Sequence, residues 1–85
     1  MTNGMQTAVG TRMTLYGTAL VDGRIFLFAD ERERIAEGGT KPVRSTRLDV
    51  SWPNTKAGQR AAAAESLRRN LAERDRLGLR PVEVR

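Results

Sequence analysis

From Thr11 to Ala29 the chain is rich in β-branched, aromatic and aliphatic residues, and the run is broken once, at Asp22-Gly23. An Asp-Gly pair between two such runs fits a two-residue type I′ turn, whose central residues both need positive φ, so the pattern predicts a β-hairpin. Pairing across that turn sets Val21 opposite Arg24, Ala19 opposite Phe26 and Gly17 opposite Phe28. Small residues then face large rings, and together with Met13 and Leu15 they make the expected core face. The other side carries Tyr16, Leu20, Ile25, Leu27 and Ala29, too apolar for the solvated side of an antiparallel ribbon. Two readings of that side stand: another segment of the chain covers it, or it is a protein interface, a homodimer included.

Asp30-Glu31-Arg32-Glu33 has the order of a capping box, and Gly38-Gly39 can close a helix, which predicts a two-turn helix anchored by Ile35 and Ala36. Pro42 to Trp52 alternates again, with Thr46, Leu48, Val50 and Trp52 on one face and Ser45, Arg47, Asp49 and Ser51 on the other, a third strand. Pro53-Asn54-Thr55 stops it and caps a long helix over residues 55–77, ended by Gly78. Ala57, Ala61, Ala64 and Leu71 share one sector of this helix, with Leu67 at its edge and Arg68 inside it. That sector is the expected contact with the sheet, where Phe26, Phe28 and Trp52 supply the apolar mass and alanine allows close approach. Arg80 to Val84 reads as a short edge strand. The expected fold is α+β: a small antiparallel sheet of three or four strands, element order β-β-α-β-α-β, with one long Ala/Arg-rich helix packed on it. Residues 1–10 are expected to be flexible, and 11–85 to form a single domain.

Composition narrows the chemistry. There is no cysteine and no histidine, which removes disulfides, thiolate metal sites and the commonest general base. No metal and no cofactor are expected. The carboxylates sit at turns, caps and exposed strand positions, and no base stands near a serine, so the chain reads as a non-enzymatic protein. No apolar run approaches the roughly 20 residues of a membrane span and no signal peptide is visible, which places the expected location in the cytoplasm.

Fifteen basic residues against ten acidic ones give +5, and only Lys41 and Lys56 of the fifteen are not arginine. The last third dominates, because residues 54–85 hold eight basic and four acidic groups, a net +4. At helical spacing Glu65 reaches Arg68 and Arg69, and Glu73 reaches Arg76. The candidate basic surface comprises Arg69 and Arg76, seven residues apart, flanked by Arg80, with Arg60 or Arg74 at its margins, and a second cluster at Lys41, Arg44 and Arg47 on the third strand. A solvated, self-paired helix face accounts for the same charges. If the clusters merge, they suit phosphate contacts, and the expected partner is a protein or nucleoprotein complex, or nucleic acid directly. In size and style alone the chain is similar to small arginine-rich proteins of phages and mobile elements that block host defence complexes, as anti-CRISPR proteins do. The competing expectation is a homo-oligomeric assembly protein that uses Tyr16, Leu20, Ile25 and Leu27.

Arg24-Ile-Phe-Leu-Phe28 has the look of the aromatic strand on which RNA-binding sheets stack bases, but the element order differs, and the pair is expected to be buried. Helix-turn-helix and ribbon-helix-helix orders fail because a strand separates the helices. Gly38-Gly39-Thr40-Lys41 lacks the spacing of a phosphate loop and reads as a turn.

Overall fold

A computed structural model describes residues 8–78 of the chain. Three antiparallel strands are followed by one helix: β1 (Arg12–Val21), β2 (Arg24–Arg34), β3 (Thr40–Pro53) and α1 (Lys56–Arg76). Among the described residues the sheet order is β1-β2-β3, so β2 is central and its two neighbours are edges. The hairpin forms in the expected register, Val21 opposite Arg24 through Gly17 opposite Phe28. Its turn residues Asp22 (φ 49°) and Gly23 (φ 78°) both take the positive φ that a type I′ turn demands.

The short helix expected after Asp30 does not form, and the element order becomes β-β-β-α. β2 instead continues to Arg34, because each of its polar residues finds a cross-strand partner that a two-turn helix could not offer. Glu31 sits between Thr14 and Arg44, and Glu33 between Arg12 and Lys41. The Ser45 hydroxyl donates to Asp30, and Arg32 donates through Nε to the Thr40 hydroxyl at 2.7 Å. The chain reverses over residues 35–39, with Gly38 at φ 95°. The expected strand at Arg80 to Val84 lies outside the described residues. At the other terminus Gly10 is already tied to the sheet, its amide donating to the Arg34 carbonyl at 2.9 Å.

The core lies on the opposite side of the sheet from the one expected. Ile25 and Leu27 are buried together with Ala62 of the helix, and Leu27 is the largest fully buried side chain among the described residues. Trp52, paired with Ile25, shares this side and is half-buried. Phe26 and Phe28 alternate with Ile25 and Leu27 and therefore occupy the other face, where they are half-buried and no described helix covers them. Thr55 caps α1 by accepting from the Gly58 amide at 3.0 Å, as the Pro53-Asn54-Thr55 signal indicates. Gly58 is buried against the Pro53 carbonyl, which a side chain at this position would strike. A glycine and an alanine thus bring the first half of the helix tightly over the aliphatic side.

The second half of α1 turns its polar stripe, not its alanine sector, toward the sheet. Asn70 accepts from the Tyr16 amide through Oδ1 at 2.8 Å and donates through Nδ2 to the Tyr16 carbonyl at 2.9 Å. Ser66 donates to the same carbonyl at 3.0 Å, Glu73 accepts from the Thr14 amide at 2.8 Å, and Arg76 donates to the Arg12 carbonyl at 3.3 Å. These are the outward backbone groups of edge strand β1, and helix side chains take the place of a fourth strand there. Ala57, Ala61, Ala64, Leu67 and Leu71 are consequently exposed. Among the described residues no helix is long and apolar enough to cross a membrane.

Candidate functional site

Because β2 alternates without interruption against β1, Arg24, Phe26, Phe28, Asp30, Arg32 and Arg34 all stand on the face that the helix leaves open. β3 adds Arg47, paired with Phe28, and Ser51, paired with Phe26. Arg47 lies over the Phe26 ring with its guanidinium carbon 4.7 Å from the centroid, a cation–π contact that fixes the side chain without neutralising it. Arg24 donates through Nε to the Ser51 hydroxyl at 2.9 Å, and Arg32 also reaches the Thr40 carbonyl at 3.3 Å. Among the described residues none of Arg24, Arg32, Arg34 and Arg47 has a carboxylate within ion-pair distance.

The arginines that do form ion pairs lie elsewhere. Arg44 grips Glu31 through two nitrogens, at 2.9 and 3.1 Å to one carboxylate oxygen and 3.2 Å to the other, and Arg12 bonds Glu33 at 3.2 Å. Both pairs are on the helix side of the sheet. On α1, Glu65 accepts from Arg68 and Arg69, and Glu73 from Arg76. The two guanidinium bonds hold the Glu65 carboxyl down to about 2. Arg76 holds the Glu73 carboxyl below its usual range; burial opposes it less strongly, and the Thr14 amide adds a still smaller lowering. Arg69 also covers the Tyr16 ring at 5.7 Å.

Of the basic residues singled out from the sequence, Arg47 is therefore the one that belongs to the open face. Arg44, Arg69 and Arg76 are neutralised locally, Arg60 is exposed on the far side of the helix, and Arg80 lies outside the described residues. Arg47 does not merge with the helix arginines, since it stands on the other face of the sheet, and Arg44, on the helix side, is held by Glu31. Of the proposed protein interface, Ile25 and Leu27 are buried beneath α1 and Tyr16 lies under Arg69, which leaves Leu20, 57% exposed. Arg24, Arg32 and Arg34 are not among the site residues expected from the sequence. Continuing the alternation of the second strand past Ala29 would have set Arg32 and Arg34 on the face of Arg24, Phe26 and Phe28.

The open face has relief. Small residues Gly17 and Ala19 flank Phe28 and, with Asp30 and Ser45, line a hollow of about 210 Å³. A Cβ placed on Gly17 would meet nothing, so the edge of the Phe28 ring is approachable from β1. A second trough, about 330 Å³, runs between Met13, Leu15 and Arg32 of the sheet and Arg74 and Leu77 of the helix. Aromatic rings, shallow apolar hollows and cations free of carboxylates are the elements from which planar, anionic polymers are bound. The chain matches no family model, and comparison with curated proteins and with solved structures finds no match.

Proposed function

We propose that this chain is a non-enzymatic nucleic-acid-binding protein whose contact surface is the open face of the sheet. The observation that carries the reading is the segregation of arginines. Those on the helix and the helix side are largely spent on Glu31, Glu33, Glu65 and Glu73, whereas Arg24, Arg32, Arg34 and Arg47 share one face with Phe26 and Phe28 and, among the described residues, form no ion pair. Guanidinium groups suit phosphate oxygens through two parallel hydrogen bonds, and a half-exposed aromatic strand offers a stacking surface to bases. The same surface would serve against a nucleoprotein complex, by occupying the path that its nucleic acid follows.

Anisotropy titrations of labelled single-stranded and duplex oligonucleotides, at two salt concentrations, test this reading. Four phosphate contacts on a single strand, at about 0.7 each, give a slope of log K against log salt near −3, or about a fiftyfold loss between 50 and 200 mM. Absence of binding at 50 mM salt, or a slope near zero, rejects the proposal.

A further inference from the structure

The helix keeps an apolar stripe turned to solvent. Its inward sector, Gly58, Ala62, Ser66, Arg69 and Glu73, is buried or half-buried. Diametrically opposite, Arg60, Ala64, Leu67, Leu71 and Asp75 fall within about 80° of one another at 100° per residue. All five are exposed, Leu67 at 60% and Leu71 at 43%. Two leucines one turn apart, with an alanine a turn before them, form a contact seam in which no described segment takes part.

The charges at its ends say what fits. Arg60 closes one end of the seam and Asp75 the other, and among the described residues neither belongs to an ion pair. They are separated by fifteen residues, roughly 22 Å along the axis at 1.5 Å per residue. A second copy laid parallel would set Arg60 on Arg60 and Asp75 on Asp75. Laid antiparallel about a two-fold axis between Leu67 and Arg68, it sets Arg60 against the other copy's Asp75 at both ends. Ala64 then faces Leu71, small against large, as interdigitating helices require. We propose that the chain self-associates as an antiparallel homodimer through the Arg60, Ala64, Leu67, Leu71, Asp75 face of α1. This face is distinct from the open sheet face, so the proposal stands or falls independently of nucleic-acid binding. One helix pair covers less than the roughly 1,200–2,000 Å² of a standard stable interface, and the dimer is accordingly weak and concentration-dependent.

The absence of cysteine from the chain lets engineered thiols report on the register. Leu67→Cys, close to the axis, should oxidise to a covalent dimer much faster than Thr18→Cys, an exposed position on the sheet. Arg60→Cys should not cross-link to itself but should cross-link in a mixture with Asp75→Cys, where the opposite end of the seam keeps its native ion pair. In sedimentation equilibrium, Arg60→Asp should weaken the dimer about tenfold by turning two attractions into repulsions, and adding Asp75→Arg to the same chain should restore it. All of these positions are exposed, so circular dichroism should show an intact helix in each variant. A parent that stays monomeric at every concentration overturns the proposal. So does Leu67→Cys cross-linking no faster than Thr18→Cys, or a double reversal that fails to restore association.

Discussion

Asn70 is a polar residue in mid-helix whose side chain does the work of a missing strand. Its amide satisfies both the N–H and the C=O of Tyr16, the same two groups that a neighbouring strand would pair. Replacing it by alanine raises helix propensity by a few tenths of a kcal/mol but leaves a part-buried donor without a partner, at about 1–3 kcal/mol. Asn70→Ala should therefore lower stability in urea unfolding by about 1–2 kcal/mol, with faster amide exchange at Tyr16 than elsewhere in β1. Gly58 poses the same contest in steric terms. Alanine would gain up to about 1 kcal/mol of propensity, yet its Cβ runs into the Pro53 carbonyl, and the displacement of backbone costs about 1–3 kcal/mol. The clash wins, and Gly58→Ala should lower the urea midpoint; a rise would show that the entry to α1 is looser than described. Neither role is visible in the sequence, because both depend on partners outside the helix.

At the scale of elements, local chemistry was legible and facing was not. Asp22-Gly23 announces its turn, Thr55 its cap and Gly78 the end of the helix, because each acts through backbone geometry within a few residues. The alternation of Leu48, Val50 and Trp52 likewise marks β3. Which side of the sheet the helix covers depends instead on contacts 50 or more residues apart, such as Ser66 and Asn70 with Tyr16. An apolar-face rule therefore chose Ala57, Ala61, Ala64 and Leu71, the side turned to solvent. The capping-box reading of Asp30 to Glu33 failed for a related reason, since the partners that make those residues a strand are supplied by β1 and β3.

The helix-to-edge junction also sets a response to acid. Glu65 and Glu73 have lowered pKa values in the folded chain, so the unfolded chain binds protons more readily. Their stabilising contribution is complete above the usual carboxylate value of 4.5 and is lost as pH falls toward the Glu65 value of about 2. The thermal midpoint should fall across that window. In Glu73→Gln, which keeps an acceptor for the Thr14 amide but cannot titrate, the fall should be shallower; an acid limb identical to the parent's would remove Glu73 from the account.

For the molecule as a whole, one small core and a partition of charge matter together. With Leu27 as the single large side chain fully buried among the described residues, the stability reserve is thin, and substitutions chosen to test binding have to spare the helix junction. Arg47 and Arg24 meet that condition, since their side chains engage Phe26 and Ser51 on the open face, away from α1. Arg69 and Arg76 do not, being bonded to Glu65, Glu73 and the Arg12 carbonyl. Their neutralisation would release Glu73 and leave Glu65 to Arg68 alone, so glutamine is substituted at Glu65 and Glu73 in the same chain to keep the net charge of the helix. If phosphates follow the open face, Arg24→Ala with Arg47→Ala should remove two of four contacts and make the salt slope shallower by about 1.4, with unchanged thermal midpoint. The four-residue helix variant, E65Q, R69A, E73Q and R76A, should lower the midpoint yet keep the parent's slope at a temperature where it remains folded. The reverse outcome, a slope held by the sheet variant and lost by the helix variant, would move the phosphate path onto α1, where the helix arginines would have to leave their carboxylates to bind.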